Sequence, residues 1–370
     1  MSKQQGAAPV QDPRLQEDLA RARKFVEYLQ HAAAVGNRAS DQQLAALGMA
    51  QTPCRTVYTE GTCRLFEYEV LGKPLDAPPI FMVYSFINRW YILDLQPGHS
   101  FIEALSKAGY KVYLLDWGIP GPENAQHGLA YYLERVALRA VRRVRRAEGG
   151  KKLTLFGYCL GGTCAAMMAA LHPDEYANLV LLATPLEFTE GGLLTLWTNK
   201  DSFDPKKLAD AFGCVPEKIL HAPFPYLQAR STFAKPRILF ENILDDTYLK
   251  NFKALDRWAT DNVPFPGQTF VEIIRDCYQE NLLSQNAMRI DGKTVDLRKI
   301  TFPTLNLYAT NDHVVSVECA ERNPGILTNS KVTNRKYEAT HFTLTVAHPI
   351  RETVWKDTME WLSRNKPSNP

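Results

Sequence analysis

The sequence lacks the features expected of an exported, metal-binding or membrane-spanning protein. Its seven cysteines are an odd number, and none has the CxxC or histidine spacing that is typical of a zinc site. No stretch approaches the roughly 18 apolar residues of a membrane span, and the polar N-terminal segment has no apolar signal-peptide core. We therefore predict a protein of the reducing cytoplasm with no disulfides, no metal and no other cofactor.

Excess charge of one sign is also missing. The formal net charge is +3 over 370 residues, which is too small to indicate nucleic-acid binding. One local basic run, RAVRRVRRAEGGKK at 139–152, is either the solvated face of a helix or a contact for an acidic partner or phosphate group. With 45% hydrophobic residues, the chain is large enough to bury a full core.

Short apolar or alternating runs dominate the chain from residue 62 onward. They predict seven strands: TCRLFEYEV, PPIFMVYSF, GYKVYLLDWG, KKLTLFGY, ANLVLLAT, TFPTLNLYAT and KVTNRKYEAT. Helical patterns lie between several of them: ILDLQPGHSFIEALSKAG, HGLAYYLERVALRAVRRVRRA and GGTCAAMMAALH. This alternation predicts an α/β fold with a mainly parallel central sheet flanked by helices.

The chain divides into a sheet domain and two additions. Residues 189–300 contain many prolines and aromatic residues but no strong strand pattern, and an unstructured loop of that length is improbable. We interpret them as a helical cap inserted over the active face. Residues 1–20 and 366–370 are predicted to be disordered, with two helices between residues 21 and 50. The predicted units are an N-terminal helical extension (1–54), the first core part (55–188), the cap (189–300) and the second core part (301–370).

The segment GYCLG at 157–161 has the pattern of a nucleophile elbow. It follows the predicted strand KLTLF and precedes the predicted helix GGTCAAMMAALH, which is the setting that such an elbow requires. Cys159 therefore occupies the position of a nucleophile. The alternative is a glycine-rich turn with a small buried cysteine. Cys164, further along the helix, is predicted to lie in the core.

A nucleophile of this type needs a base and a carboxylate, which follow it in α/β hydrolases in the order acid and then histidine. Asp312 and His341 have this order, and each comes directly after a predicted strand. As alternatives, Asp312 is an ordinary turn or N-cap residue, or its neighbour His313 is the base. His172 and His348 each precede a proline, and we expect surface roles for both.

A cysteine nucleophile favours acyl transfer from a thioester to a hydroxyl group. Its acyl-enzyme is still a thioester, so the later transfer to an alcohol is downhill, whereas a serine ester would make that transfer nearly thermoneutral. The oxyanion formed on the way needs hydrogen-bond donors. The elbow geometry predicts the backbone N–H of Leu160 and a second N–H near Phe86 or Ile87.

The same residues resemble the catalytic subunit of polyhydroxyalkanoate synthases. GYCLGGT at 157–163 matches the family's G-x-C-x-G-G-T box, and the block INRWYILDLQPGHSFIEALSKAGYKVYLLDWGIPG at 87–121 is similar to its N-x-x-Y-x-x-D-x-Q and D-W-G segments. The resemblance covers about residues 55–360 and places Cys159, Asp312 and His341 on the family's nucleophile, acid and base. One departure is EAT before His341, where the family commonly has glycine beside the histidine.

This resemblance implies an α/β-hydrolase fold and polymerisation of (R)-3-hydroxyacyl-CoA, with 3-hydroxybutyryl-CoA the expected substrate and free CoA the second product. The short chain resembles class III and class IV synthases, which implies a second synthase subunit, a homodimer and a cytoplasmic polyester granule as partners. Two alternatives stay open. One is a thioesterase or depolymerase that uses water as acceptor, and the other is a non-catalytic protein that binds the granule through an apolar patch.

Overall fold

An eight-stranded sheet forms the centre of the protein, for which a computed structural model describes residues 13–34, 38–227 and 229–366. Its strand order is β1-β2-β4-β3-β5-β6-β11-β12, and two separate pairs, β7–β8 and β9–β10, have two residues per strand. The strands are β1 Cys54–Glu60, β2 Cys63–Tyr68, β3 Ile80–Val83, β4 Val112–Asp116, β5 Leu153–Tyr158, β6 Tyr176–Leu182, β7 Cys214–Val215, β8 Phe265–Pro266, β9 Arg289–Ile290, β10 Lys293–Thr294, β11 Thr304–Ala309 and β12 Val332–Tyr337.

Most of the sheet is parallel, as the alternating pattern predicts. All neighbours from β4 to β12 run parallel, whereas β1 and β2 are antiparallel additions at one edge. Strands β3, β4, β5 and β11 are buried at every position, which is typical of strands covered by helices on both faces. The α/β-hydrolase fold class is confirmed, and all seven predicted strands are present. Strand β1 was not predicted, because its segment CRTVYTE is mostly polar and exposed.

Helices cover both faces of the sheet and form most of the segment between β6 and β11. The α-helices are α1 Pro13–Ala34, α2 Asp41–Ala46, α3 Phe101–Lys107, α4 Leu138–Ala147, α5 Leu160–Leu171, α6 Leu193–Trp197, α7 Pro205–Phe212, α8 Glu217–His221, α9 Phe224–Leu227, α10 Ala229–Asn242, α11 Asp246–Thr260, α12 Gly267–Glu272, α13 Val317–Glu321, α14 Asn323–Ile326, α15 Thr343–Val346 and α16 Ile350–Arg364. The π-helix Ala130–Ala137 leads into α4, and the π-helix Ile273–Gln279 continues α12. Short 3-10 turns are Trp90–Leu93, Pro122–Asn124, Pro173–Glu175 and Leu297–Lys299.

Two sequence predictions need correction. The helical pattern at 92–109 is not one helix: the 3-10 turn Trp90–Leu93 is followed by a turn through Pro97 and Gly98, and α3 begins only at Phe101. Proline and a glycine at φ 76° interrupt the helix there. Residues 13–20, predicted to be disordered, form the start of α1. The remaining residues of the predicted disordered ends, 1–12 and 367–370, lie outside the described residues.

Helix α1 is stabilised by the insertion, a name we use for residues 189–300 between β6 and β11. The ring of Phe25 packs edge-on against Phe240 at a centroid distance of 5.8 Å. The Tyr28 hydroxyl donates a hydrogen bond of 2.6 Å to the Asp256 carboxylate. These contacts explain why a mainly polar segment forms a long helix. No helix within the described ranges is long and apolar enough to cross a membrane.

Helix α5 packs unusually close to the sheet because glycines line the contact. A Cβ atom added to Gly161 would lie 2.5 Å from the backbone carbon of Tyr84, directly after β3. A Cβ atom on Gly157 would lie 2.3 Å from the Cα of Gly162. No real Cβ tolerates such distances to backbone atoms, so only glycine permits this approach of helix and strand.

We predict that Gly161→Ala destabilises the fold, because the added methyl group meets backbone atoms that cannot rotate away. The free energy of unfolding should fall by about 2 kcal/mol or more, as measured by urea denaturation. Gly325→Ala in α14 is the matched control, since its Cβ would have no neighbour within 4 Å. Equal stabilities for the two variants would contradict the proposed close packing.

Candidate active site

Three strand ends bring the predicted catalytic side chains together. Cys159 follows β5, Asp312 follows β11 and His341 follows β12. Because these strands are parallel, their carboxyl ends meet at one edge of the sheet, where ligands bind in open α/β folds. The three residues therefore form one cluster.

The backbone at Cys159 has a conformation that non-glycine residues rarely adopt. Its φ is 55° and its ψ is −131°, at the junction of β5 and α5. Such strain persists only where surrounding structure fixes it and is frequent at active sites. The Cys159 N–H donates a 2.9 Å hydrogen bond to the Leu182 carbonyl, which anchors the turn on β6. The side chain is partly exposed, as an elbow nucleophile requires.

The carboxylate of Asp312 holds His341 with one oxygen and its own loop with the other. The Oδ2 atom lies 2.7 Å from Nδ1 of His341, and each side chain is only 2% exposed. The Oδ1 atom accepts hydrogen bonds from the N–H groups of Val314 and Val315 at 2.8 and 2.9 Å. Asp312 is therefore a turn residue, as the alternative interpretation predicts, and it is also the partner of His341. One side chain has both roles.

The charge state of His341 depends on its two partners. Burial by itself lowers the pKa of His341, but the Asp312 carboxylate and the Cys159 sulfur, to which His341 hydrogen-bonds, together raise it to about 10. The imidazole is therefore protonated near neutral pH, with Nδ1 facing the carboxylate. A histidine that is held by a carboxylate and lies beside a cysteine is the arrangement that nucleophilic catalysis uses.

An aromatic residue that the sequence pattern does not reveal supports the histidine. The ring of Tyr158 stacks on His341 with a centroid distance of 5.4 Å, and its hydroxyl donates to the His341 carbonyl at 3.4 Å. Phe342 lies edge-on to His341 at 5.2 Å. Tyr158 directly precedes the elbow cysteine, and this position is the only signal in the sequence for its role.

The other candidate histidines lie apart from this cluster. His313 is exposed, and it is His341 that pairs with Asp312. His172 is 2.6 Å from the Glu134 carboxylate, and the exposed His348, which precedes helix α16, is 3.4 Å from Glu352 in the first turn of that helix. The additional elbow-helix cysteine, Cys164, is fully buried in the core.

The predicted oxyanion donors are the backbone N–H groups of Leu160 and of Phe86 or Ile87. Leu160 is the first residue of α5, so its N–H has no acceptor within the helix. The Ile87 N–H points to the Ser85 hydroxyl at 3.4 Å, whereas the Phe86 N–H has no acceptor in the described part of the chain. Because Gly161 touches Tyr84, the loop that carries Phe86 lies next to the elbow.

A mainly apolar cavity of about 760 Å³ lies between the insertion and the loops that carry Asp312 and His341. Its walls include Val314 and Phe342, which are neighbours of those two residues in sequence. On the insertion side its lining includes Phe224, Tyr248, Phe252, Leu255 and Trp258. Among the residues that the structure describes, no group of three or more His, Cys, Asp or Glu side chains could hold a metal ion.

Comparisons with known proteins agree with the fold and with the family. The family model described as the alpha/beta hydrolase fold matches residues 78–344, and the model described as "Poly-beta-hydroxybutyrate polymerase (PhaC) N-terminus" matches residues 17–105. A poly(3-hydroxyalkanoate) polymerase subunit PhaC from Haloferax mediterranei is 32% identical over 91% of this chain and 68% of its own length. The chain belongs to the PhaC family. The PhaC protein of Allochromatium vinosum is 31% identical over 86% of this chain and 90% of its own.

Membership of the PhaC family confirms the predicted enzyme class, an acyltransferase. The family match also begins well before residue 55, where the motif-based resemblance was expected to start.

The solved structures that resemble this chain support its fold and nothing more. A carboxyl esterase from Bacillus coagulans is 17% identical with a TM-score of 0.58 and covers 85% of this chain and 98% of its own. A monoglyceride lipase variant from Saccharomyces cerevisiae is 12% identical with a TM-score of 0.57, over 87% and 98% of the two chains.

The raised pKa of His341 predicts a loss of stability at alkaline pH. A histidine in the unfolded chain titrates near pH 6.5, so the stability from the charged pair is complete below that pH. It declines as the pH rises and is gone above about pH 10, because the folded state then also loses the proton. Urea denaturation of the wild type and Asp312→Asn should show a stability difference that narrows between about pH 6 and about pH 10.5. A difference that stays constant over this range would contradict the assignment.

Proposed function

We propose that this protein polymerises (R)-3-hydroxyacyl-CoA, with 3-hydroxybutyryl-CoA as its principal substrate, through the triad Cys159, His341 and Asp312. The observation that carries the proposal is a cysteine at a strained elbow beside a buried histidine and aspartate pair, in a chain of the PhaC family. The names of its relatives support polymerisation rather than transfer to water.

In the first step the thiolate of Cys159 attacks the carbonyl carbon of the CoA thioester. The carbonyl oxygen becomes an oxyanion, which accepts hydrogen bonds from the N–H groups of Leu160 and Phe86. When the intermediate collapses, the bond to the CoA sulfur breaks and the imidazolium of His341 gives its proton to the departing thiolate. The products are free CoA and a hydroxyacyl thioester on Cys159.

In the second step the hydroxyl of the next hydroxyacyl-CoA attacks the thioester on Cys159. The neutral imidazole of His341 removes the hydroxyl proton, and the new bond is an oxygen ester. Cys159 leaves as a thiolate, which restores the thiolate and imidazolium pair. The extended chain, still a CoA thioester, then reacylates Cys159 as in the first step. Asp312 holds the histidine through Nδ1 in both steps.

The insertion has the composition and position for a cap over this chemistry. Water would convert the acyl-enzyme to a free acid, so the reaction requires a shielded thioester. We propose that residues 189–300 form this cap between the core parts 55–188 and 301–370, with residues 1–54 as a helical extension. The apolar cavity beside Phe342 offers room for an acyl chain.

The same proposal includes the partners that the family resemblance implies. These are a second synthase subunit, a second copy of this chain, and the surface of a polyester granule in the cytoplasm. Size measurement by light scattering, alone and with a class III or class IV second subunit, tests the first two.

We expect the purified enzyme to release CoA from (R)-3-hydroxybutyryl-CoA and to form insoluble polyester in matching amounts. Cys159→Ala should lower the rate by about 10³-fold or more, because the nucleophile is lost. Cys54→Ser, at an exposed cysteine on β1, is the matched control and should retain the activity. CoA release that is matched by free 3-hydroxybutyrate would instead make water the acceptor.

The choice of base is tested by two histidine variants in neighbouring loops. His341→Gln should lower the rate of CoA release by about 10²-fold to 10⁴-fold, since the base and the proton donor are lost. His313→Gln should stay within about twofold of the wild type, since His313 is exposed and His341 occupies the Asp312 carboxylate. The reverse result would assign the base to His313.

A further inference from the structure

The loop that carries the proposed second oxyanion donor is held from the insertion, through two of its carbonyl groups. The Ile87 carbonyl accepts a hydrogen bond from Nε2 of His221 at 3.1 Å and a longer one from the Val263 N–H at 3.4 Å. The Arg89 carbonyl accepts a hydrogen bond of 2.8 Å from the indole N–H of Trp258. These bonds join residues of the core to residues more than 130 positions away in the chain.

A buried charge network fixes the end of the same loop. The Tyr91 hydroxyl donates to Asp261 at 2.6 Å, and the Arg89 guanidinium lies 3.6 Å from the same carboxylate oxygen. Asp261 is the C-cap residue directly after helix α11, and it is fully buried. Because the loss of one partner would leave the other charge buried and uncompensated, this ion pair and the Tyr91 hydrogen bond tie the loop to the end of α11.

Trp258 contacts two loops of the candidate site: the loop with Phe86 and Arg89, which we call the oxyanion loop, and the loop with His341 and Phe342. Its indole N–H binds the Arg89 carbonyl of the oxyanion loop, and its ring packs edge-on against Phe342 at 5.5 Å. Phe342 in turn directly follows His341. Trp258 is only 3% exposed, so its ring is fixed between these two loops.

The position of this loop matters because an oxyanion hole works through donors that are already in place. A peptide group is planar, so the held carbonyls of Ile87 and Arg89 also fix the N–H groups of Asn88 and Trp90. They restrict the backbone that directly follows Phe86, and they act on the Phe86 N–H only through that stretch of loop. The loss of one oxyanion donor costs about 10²-fold to 10³-fold in rate. Partial release of the loop should lower the rate by a smaller factor.

We infer that Trp258 is a positioning residue, which holds the Phe86 N–H in the oxyanion hole through its hydrogen bond to the Arg89 carbonyl. The inference rests on the proposed function for its substrate and on the contacts above for its geometry. Trp258 itself touches no reacting atom in this account. The insertion then contributes to the acyl-transfer step as well as to the covering of the site.

The test is Trp258→Phe, which keeps an aromatic ring against Phe342 and removes only the N–H donor. The rate constant kcat for CoA release from (R)-3-hydroxybutyryl-CoA should fall about 10-fold, with KM within about twofold of the wild type. The rate of Cys159 alkylation by iodoacetamide should be the same in the variant and the wild type, because the alkylation reaction forms no oxyanion. A lower rate of CoA release with an unchanged rate of alkylation indicates a displaced oxyanion donor. A general disturbance of the Cys159 thiolate would lower both rates.

Trp361→Phe is the matched control. Its indole N–H also donates to the protein, to the Thr333 hydroxyl at 3.1 Å, but on helix α16 and away from the loop. It should leave kcat unchanged. A kcat of Trp258→Phe within about twofold of the wild type, or an equal fall in alkylation, would overturn the inference.

A second pair of variants keeps the inference testable if Trp258→Phe does not fold. His221→Leu removes the other side-chain donor to the loop, and His221→Gln keeps a donor there. The leucine variant should lose kcat selectively, and the glutamine variant should recover most of it. Equal activities of the two would contradict the role of these hydrogen bonds.

Acylation of Cys159 by p-nitrophenyl butyrate separates this inference from the proposed function. The ester needs the same oxyanion hole but no CoA substrate. A wild type that reacts with the ester and not with the CoA thioester would contradict the proposed function only. A selective loss of the ester reaction in Trp258→Phe would still support the positioning role.

Discussion

The close approach of helix α5 to strand β3 is the constraint on which the rest of the site depends. At Gly161, the nearest atoms of the facing segment are backbone atoms of Val83 at the end of β3 and of Tyr84 directly after it. This contact sets the position of the elbow and also the start of the loop with the second predicted oxyanion donor. The strained φ of Cys159 persists because the strand before it and the helix after it are both fixed. The positions of the proposed nucleophile and of the proposed oxyanion donors thus both depend on this glycine packing.

Two buried aspartates have similar structural roles in the loops that we assign to the site. Asp312 joins His341 to its own loop by using both carboxylate oxygens. Asp261 joins Arg89 and Tyr91 to the end of α11. In both cases a buried carboxylate binds groups of a loop to which we assign a part in the proposed acyl transfer. A network of this kind is costly to break, since the loss of one partner leaves the other charge buried.

The sequence predicts the parts of this protein that have a local signal. Cys159 has a strand, a glycine-flanked turn and a helix in direct succession, and Asp312 and His341 follow strands in the expected order. The buried strands are predicted for the same reason. The polar edge strand β1 has no such pattern, and the interruption at Pro97 is lost within an otherwise helical composition.

Contacts between distant segments are beyond the reach of such patterns. Trp258 and His221 are two aromatic residues among many in the insertion, and nothing near them in the sequence indicates the loop that they bind. The pairing of Arg89 with Asp261 is equally hidden, because the two charges are 172 positions apart in the chain. These contacts join segments that are distant in the sequence and close in the fold.

Helix α1 packs against the insertion, and this contact affects both how the chain folds and how it tolerates truncation. Phe25 and Tyr28 cover the rings of Phe240 and Phe252, which belong to helices α10 and α11. The N-terminal helix is therefore part of the outer layer of the insertion, although about 200 residues separate the two in sequence. During synthesis it emerges long before its partner, so its packing is completed late. A chain shortened past this helix would leave aromatic surface of the insertion open to water and to association with other chains.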